Sequence, residues 1–409
     1  MTGRVYISGT ADTKAEELRY LKEILTDRRV AACIVDVSTG GVPHAADITA
    51  AEVAMFHPEG IGAVFCGDRG RAITGMSLAL TRFLAGRDDL AGVLAIGGSG
   101  GTALVAPALQ ALPVGMPKLV VSTVASGNVA PYVGESDIGM VYSVVDMQGL
   151  NRISRMVLAN AANAMAGMVR NEPAPRDDGR PSVGITMFGV TTPCVARMAE
   201  ALKSRFECLV FHATGAGGRS MERLIDQGLI RGVLDITTTE FCDYVAGGIF
   251  ACGEERLDAV IRTGVPYVGS CGGLDMVNFG ARTTVPDRYR GRVLVEHNPF
   301  ITLMRTSADE CAAMGRMISG KLNRCRGEVR FFYPEGGFSL LDQPGGPFYD
   351  PQADATFLET LSAVLEETPR RRLIRLPYAL NDPAFADAMT HEFETIFEEN
   401  RDYAGYSTQ

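Results

Sequence analysis

The stretch at residues 92–103, GVLAIGGSGGTA, constrains the fold of this chain more than any other part of the sequence. It opens with the continuous apolar run VLAI, which is typical of a strand that is covered on both faces in a parallel sheet. Small residues follow, and TALVAPALQAL then has the composition of a helix. The stretch therefore predicts a strand, a glycine-rich loop and a helix in succession, which is the repeating unit of α/β folds.

The glycine-rich loop suits the binding of an anion. Glycines let backbone N–H groups approach a ligand closely, and the N-terminus of the following helix carries a partial positive charge. We therefore predict that the loop binds a phosphate group. It lacks the Lys-Ser/Thr ending of a Walker A sequence and does not match the dinucleotide fingerprint cleanly. The alternative, that its small residues only let the helix pack closely on the sheet, stays open.

The length of 409 residues fits two domains of roughly 200 residues each. The clearest linker is residues 171–180, NEPAPRDDGR, which is rich in charge and contains Pro and Gly but no apolar period. We predict an α/β fold with two Rossmann-like domains, each a mainly parallel sheet flanked by helices, at residues 1–170 and 181–409.

Charge and composition exclude several classes of function. The net charge of −9 and the lack of a basic run with interleaved aromatics argue against a nucleic-acid partner. Met1 is followed almost at once by a predicted strand, and no apolar run is long enough to span a bilayer, so we expect a cytoplasmic protein without a membrane segment. The nine cysteines form no Cys-x-x-Cys pair, which disfavours a zinc site or a disulfide framework.

The first domain is predicted to contain five strands, at residues 4–8, 31–37, 61–66, 93–96 and 118–123. The loops after the first, third, fourth and fifth strands can converge beyond the carboxyl ends of a parallel sheet. We expect them to surround one pocket, lined by residues 9–14, 67–71, 97–102 and 122–128. Lys14 supports this expectation, because a cation in the first turn of a helix is unfavourably placed unless an anion lies nearby.

The second domain carries a second glycine-rich loop that also contains an arginine. We predict a second anion site there, formed by Thr214, Gly215, Gly217, Gly218 and Arg219.

Three polar residues stand at or just beyond the carboxyl ends of predicted strands in the second domain and are candidate catalytic groups: His212, Glu240 and His297. Catalytic groups collect at the carboxyl ends of strands in open α/β sheets. Either histidine can instead be satisfied by a backbone carbonyl group. Cys271 also follows a predicted strand, but no base is adjacent in the sequence, so we expect it to be a packing residue.

Several blocks of this sequence resemble one protein family over nearly the whole chain. They are VYISGTADTKAEELRYL, GVLAIGGSGGTALVAPALQALPVGMPKLVVSTVASGNVAPYVGESDI, HATGAGGRSMERLID, DITTTEFCDYVAGG and GSCGGLDMVNFG, and they are similar to the UPF0261, or Tm-1-like ATP-binding, family. The resemblance implies two Rossmann-like domains, a homo-oligomer, and ATP as the cofactor, alone or with Mg²⁺. Matching blocks and loop chemistry together assign the nucleotide to Gly9, Thr10, Asp12, Thr13, Lys14, Gly97, Gly98, Ser99, Gly100, Gly101, Thr102 and Thr123. Thr10, Asp12 and Thr13 can instead cap the first helix.

Two classes of function remain open at this point. The chain can be an ATP-binding protein, including a regulatory module without turnover. It can also be an enzyme that acts on a small anionic metabolite by phosphoryl transfer, ATP-dependent ligation or hydrolysis. The enzyme would use His212, Arg219, Glu240 and His297 in the cleft between the domains.

Overall fold

A computed structural model describes residues 3–170 and 179–401 of the chain. It divides into two compact units, Met1–Arg176 and Asp177–Gln409, called unit 1 and unit 2. The predicted linker at residues 171–180 lies mostly outside the described residues. No helix within the described part of the chain combines the length and apolar character needed to cross a bilayer.

Unit 1 is built on one parallel sheet. Its strands are β1 (Arg4–Gly9), β2 (Ala32–Asp36), β3 (Leu90–Gly97), β4 (Lys118–Ser122) and β5 (Gly139–Tyr142). They lie in the order β2-β1-β3-β4-β5, and every neighbouring pair is parallel. Strand β2 lies on one side of β1, and β3 lies on the other side. The direction in which successive strands are added to the sheet therefore reverses between β1 and β3. Ligands of open α/β sheets bind at such a reversal, beyond the carboxyl ends of the strands.

Helices cover both faces of this sheet. They are α1 (Ala11–Asp27), α2 (Ala50–Ala54), α3 (Arg69–Ala85), α4 (Ser99–Ala111), α5 (Ala130–Val133) and α6 (Arg152–Arg170). Helices α1 and α6 pack on one face, whereas α2, α3 and α4 pack on the other. Two apolar cores therefore bury the continuous apolar strands, as a parallel sheet requires.

One predicted strand of the first domain is wrong and another strand was not predicted. Residues 61–66 form no strand; Ile61–Ala63 is a short 3₁₀ helix that lies under α3. The contact is close, because a Cβ atom at Gly75 of α3 would lie only 2.8 Å from the carbonyl oxygen of Ala63. The fifth strand is instead β5, at the edge of the sheet.

Unit 2 contains two sheets. Its strands are β6 (Ser182–Met187), β7 (Glu207–His212), β8 (Val233–Thr237), β9 (Tyr267–Gly272), β10 (Met276–Phe279), β11 (Leu294–Asn298), β12 (Ile301–Arg305), β13 (Val329–Pro334) and β14 (Arg371–Leu376). The main sheet has the order β14-β13-β9-β8-β6-β7 and is parallel throughout. The first three strands in chain order, β6, β7 and β8, repeat the reversal of unit 1, because β7 lies on one side of β6 and β8 lies on the other. A small antiparallel sheet, β10-β12-β11, is inserted between β9 and β13.

The main sheet of unit 2 is also covered on both faces. The helices are α7 (Thr192–Leu202), α8 (Ala216–Asp226), α9 (Glu240–Ala246), α10 (Asp258–Thr263), α11 (Ala308–Arg324), α12 (Pro351–Val364) and α13 (Pro383–Arg401). Helices α7 and α13 pack on one face and α8 to α12 on the other. Two parallel sheets flanked by helices confirm the predicted α/β class with two Rossmann-like units.

Candidate functional site

Two helices of unit 1 begin next to each other at the carboxyl ends of the strands, called the carboxyl edge of the sheet. Strands β1 and β3 are direct neighbours in the sheet, with Ser8 opposite Ala95. Helix α1 starts two residues after the end of β1, and α4 starts two residues after the end of β3. The backbone N–H groups at both helix starts therefore point toward the same edge, at the reversal of strand order, where an anion is favoured.

The turn between β3 and α4 requires glycine. A Cβ atom at Gly97 would lie 2.7 Å from the backbone nitrogen of Thr102 and 2.8 Å from the carbonyl carbon of Gly101. Gly98 is the N-cap residue of α4, and it has no side chain that could accept the first N–H groups of the helix. Those donors are left for another partner.

The predicted hydroxyl groups around this turn have different environments. Ser99 is exposed. The Thr123 hydroxyl oxygen lies near the turn, since a Cβ atom at Gly98 would be 3.8 Å from it. Thr102 is buried instead, and its hydroxyl oxygen lies 2.6 Å from that of Ser122. Thr102 therefore ties α4 to β4 inside the fold.

The first N–H groups of α1 are already bonded within the chain: that of Ala11 to Asp36, that of Asp12 to the Ser38 hydroxyl group and that of Thr13 to the Thr10 carbonyl group. Asp36, the last residue of β2, accepts hydrogen bonds from the backbone N–H of Ala11 at 3.0 Å and from Ser38. The hydroxyl groups of Thr10 and Thr13 lie 3.1 Å apart near the surface, and the Asp12 side chain is exposed. Asp36 was not predicted as a site residue. A carboxylate as the last residue of a strand was its only signal in the sequence.

Lys14, the predicted cation of the site, is bonded within the chain. Its ammonium group donates to the carbonyl oxygen of Met147 at 2.8 Å. Its backbone has non-helical angles, φ −132° and ψ 23°, so α1 is kinked there. Glu17 of the same helix accepts from the backbone N–H of Gly149. Lys14 and Glu17 therefore fasten the segment after β5 to α1.

Unsatisfied polar atoms collect at the same edge. Within residues 3–170, four buried side-chain polar atoms lack a hydrogen-bond partner: Ser8 Oγ, Asp36 Oδ2, Ser143 Oγ and Arg87 Nε. Ser8, Asp36 and Ser143 each lie within one residue of the carboxyl end of a strand. Since buried polar groups in native proteins are nearly always paired, this edge has spare hydrogen-bonding capacity for a ligand or for water.

The predicted loop at residues 67–71 forms the start of α3. Asp68 is the N-cap residue, and its carboxylate accepts from the backbone N–H of Arg71 at 2.8 Å. Arg69 extends to α4, since a Cβ atom at Gly100 would lie 3.8 Å from Arg69 Nη2. This loop therefore reaches the glycine-rich turn although no strand precedes it.

The second glycine-rich loop, in unit 2, is filled by the chain itself. Glu240 Oε1 accepts from the backbone N–H of Gly215 at 2.6 Å and from that of Gly218 at 3.2 Å. A Cβ atom at Gly218 would collide with the same carboxylate. The two amides that the sequence assigns to an external anion thus bind a buried side chain at the start of α8.

Glu240 belongs to a buried ion-pair network, which corrects its expected place at an accessible strand end. Arg256 donates two hydrogen bonds to Asp235, at 2.7 and 2.8 Å, one to Glu240 at 2.9 Å and one to Glu222 at 3.2 Å. Burial raises the pKa of Glu240 and of Glu222, while the Arg256 guanidinium lowers both. The network holds α8, β8 and the segment before α10 together.

The two candidate histidines lie on different sheets. His212 is exposed at the end of the edge strand β7, where its ring stacks on Phe188 with centroids 5.0 Å apart. His297 is exposed within β11 of the small antiparallel sheet, not after a parallel strand as expected. Within the described residues no hydrogen bond or ion pair joins His212, Glu240 and His297. Thr214 and Arg219 lie in the loop and first turn of α8, and Cys271 is fully buried.

A second buried cluster of carboxylates contains Asp275, in the loop after β9, Asp342, in the loop after β13, and Asp354 of α12. Arg305 donates to Asp354 at 2.6 Å, and Asp342 Oδ1 lies 3.9 Å from the same guanidinium nitrogen. Asp275 accepts from Ser339 at 2.7 Å. Burial and the Asp342 carboxylate raise the pKa of Asp275 and of Asp354. Across residues 3–170 and 179–401, no three His, Cys, Asp or Glu side chains are arranged to hold a metal ion.

Each half of the chain matches a model of one protein family. Residues 3–174 match the N-terminal domain of the uncharacterised protein family UPF0261, and residues 180–397 match its C-terminal domain. The chain is 54% identical to a UPF0261 protein of Mesorhizobium japonicum over 387 residues, which are 94% of this chain and 97% of that protein. A UPF0261 protein of Clostridium tetani is 41% identical over 97% of this chain and 100% of its own length. The ToMV resistance protein Tm-1(GCR237) of tomato is 44% identical over 97% of this chain, but this chain covers only 56% of the tomato protein.

Proposed function

We propose that this chain, which belongs to the UPF0261 family, binds ATP at the carboxyl edge of unit 1, between the ends of β1 and β3. One observation carries the proposal. The strand order places the N-termini of α1 and α4 side by side, and α4 begins at a glycine that gives it no side-chain cap. The N-terminus of α4, which has no side-chain cap and lies next to the start of α1, is a favourable place for a polyphosphate.

The residues present fit a nucleotide. The first turn of α4 offers the backbone N–H groups of Ser99, Gly100 and Gly101, and Thr10 and Thr13 offer hydroxyl groups at the start of α1. The unpaired atoms Ser8 Oγ, Asp36 Oδ2 and Ser143 Oγ add acceptors and donors along the same edge. The choice of ATP over another anion rests on the family resemblance. Helix ends and glycines alone would also suit inorganic phosphate.

The test is thermal unfolding and calorimetric titration with ATP, ADP, NAD and inorganic phosphate, each with and without Mg²⁺. A ligand at a hundredfold its dissociation constant stabilises the folded state by about 2.7 kcal/mol, which raises Tm by about 5–10 °C for a unit of this size. We expect this shift with ATP and not with NAD. Absence of any shift, together with flat calorimetric traces, would overturn the proposal.

A pair of matched variants locates the site. Gly98→Val adds a side chain at the N-cap of α4, where the nearest atom to a new Cβ is 3.8 Å away, so folding is retained while the approach to the N–H groups is blocked. Gly62→Val is the control, because a Cβ atom there meets nothing within 4 Å and lies in the 3₁₀ helix before α3. ATP binding should be lost in the first variant and kept in the second.

No observation in unit 2 favours the alternative enzyme. Its proposed groups would have to act together, but Glu240 is buried against Arg256, and His212 and His297 lie on separate sheets. A cytoplasmic location, a homo-oligomeric state and the absence of a nucleic-acid partner stay predictions from the sequence.

A further inference from the structure

We propose that Arg69, the first residue of α3, binds the terminal phosphates of the nucleotide. This inference rests on the proposed ATP site and names a cation that the site uses. The sequence predicts Lys14 for that role; its ammonium group uses one of its three N–H donors on the carbonyl oxygen of Met147, and Arg69 would be a further cation of the site. Arg69 has no such bond within the described residues.

The position of Arg69 fits the role. Helices α3 and α4 pack against each other, and a Cβ atom at Gly100, in the first turn of α4, would lie 3.8 Å from Arg69 Nη2. The N–H groups of that turn have no side-chain cap. A phosphate above the turn would accept hydrogen bonds from these amides and from the planar guanidinium together, which is the arrangement that arginine favours.

The electrostatics of α3 point the same way. A cation in the first turn of a helix is destabilised by the helix dipole, and Arg69 and Arg71 are both placed there. The neighbouring Asp68 carboxylate accepts from a backbone N–H as the N-cap, and no ion pair joins it to either guanidinium in the described residues. The Arg69 side chain starts from the first residue of α3 and reaches the first turn of α4, and a bound anion would supply a partner for its guanidinium.

A buried hydroxyl group gives an independent indication on the same side of the sheet. Ser8 Oγ is fully buried and has no hydrogen-bond partner. Side chains alternate along a strand, so Ser8 shares its face with Tyr6, which packs in the core with α3 and α4. Ser8 also lies one residue before the carboxyl end of β1. An unsatisfied group of this kind calls for a ligand or water at the edge between β1, α3 and α4.

The experiment measures the affinity of the full chain for ATP, ADP and AMP by calorimetry in Arg69→Met and in a matched control. The control is Arg82→Met, an exposed arginine in the last turn of the same helix. Loss of the charged hydrogen bonds should weaken ATP binding by about 10- to 100-fold. The effect should be smaller for ADP and absent for AMP. Arg82→Met should bind all three like the parent protein.

The Tm of the unliganded variant separates binding from structure. Removing Arg69 removes an unfavourable contact with the helix dipole, so Tm should stay constant or rise. A fall in Tm with equal losses for ATP and AMP would assign Arg69 a structural role and overturn the inference. Equal ATP affinity in Arg69→Met and the parent would also overturn it while leaving the ATP site intact. If the parent protein binds no nucleotide, the proposed ATP site is refuted, and the proposed role of Arg69 is refuted with it.

Discussion

Replacing Arg256 with methionine should destabilise unit 2 more than any surface substitution. The Arg256 side chain is only 1% exposed and is the shared partner of Glu222, Asp235 and Glu240. Methionine retains much of the volume but removes the charge and the hydrogen bonds to all three carboxylates. Asp235 and Glu240 are fully buried, so water cannot replace the lost guanidinium.

The expected loss of unfolding free energy follows because the substitution removes the cation of a buried ion-pair network and leaves its carboxylates in place. Such changes cost about 3–5 kcal/mol of unfolding free energy. For a unit of this size the corresponding fall in Tm is about 6–20 °C. Burial raises the pKa of Glu222 and of Glu240, so without the guanidinium these two carboxylates should bind protons more tightly in the folded variant than in its unfolded chain. The deficit should therefore be largest at neutral pH and should shrink as the pH falls toward about 4.

The assay is urea unfolding followed by circular dichroism at several pH values. Arg262→Met is the matched control, because the Arg262 and Asp226 side chains are 56% and 40% exposed in their ion pair. An exposed pair contributes about 0–1 kcal/mol. A loss below about 1 kcal/mol in Arg256→Met, or equal losses in both variants, would refute the reasoning that the network depends on this one cation.

Two further predictions concern Asp342 in unit 2 and Lys14 in unit 1. Burial and the Asp342 carboxylate raise the pKa of Asp275 to about 7 and that of Asp354 to about 8. The folded state therefore keeps protons that the unfolded chain releases near pH 4, so the unfolding free energy falls as the pH rises from about 4 to about 8. Asp342→Asn should flatten that slope in urea titrations, and an unchanged slope would show that the Asp342 charge is not a cause of the raised pKa values. Lys14→Met removes the bond to Met147 and should lower the Tm of the unliganded protein, at a cost of about 1–2 kcal/mol. Differential scanning calorimetry that finds the Tm unchanged would show that this bond does not hold the segment after β5.

The regular parts of the fold could be predicted because their signals are local. Short apolar runs followed by glycine or polar residues predict β1, β2, β3 and β4, and the apolar run at residues 93–96 lies inside β3. The same type of signal misleads at residues 61–66, where a short apolar run cannot be distinguished from the start of another element. Strand β5 has four residues, none of them fully buried, so its apolar pattern is weak.

The candidate site could be located only in part. Glycine-rich loops show where donors exist, but not which of them are already used. Lys14 and Met147 are separated by 133 residues, and Gly215 and Glu240 by 25 residues. Such pairs are created by the order of strands in the sheet, and no local pattern encodes them. The sequence predicts that residues 67–71 line the pocket, but it does not show that Arg69 lies near Gly100, because that closeness depends on how α3 packs against α4.

Because of Glu240, the glycine-rich loops of the two units differ in where their negatively charged partner comes from. The glycine-rich loop of unit 2 receives its negative charge from a residue that is always present, at a fixed stoichiometry of one per chain. In the glycine-rich loop of unit 1, no carboxylate is bonded to the first amides of α4 among the described residues, and under the proposed function this loop depends on the nucleotide concentration for its partner. Nucleotide depletion would therefore leave the stability of unit 2 unchanged and lower that of unit 1. One polypeptide would then combine a half that is insensitive to the energy state of the cell with a half that reports it.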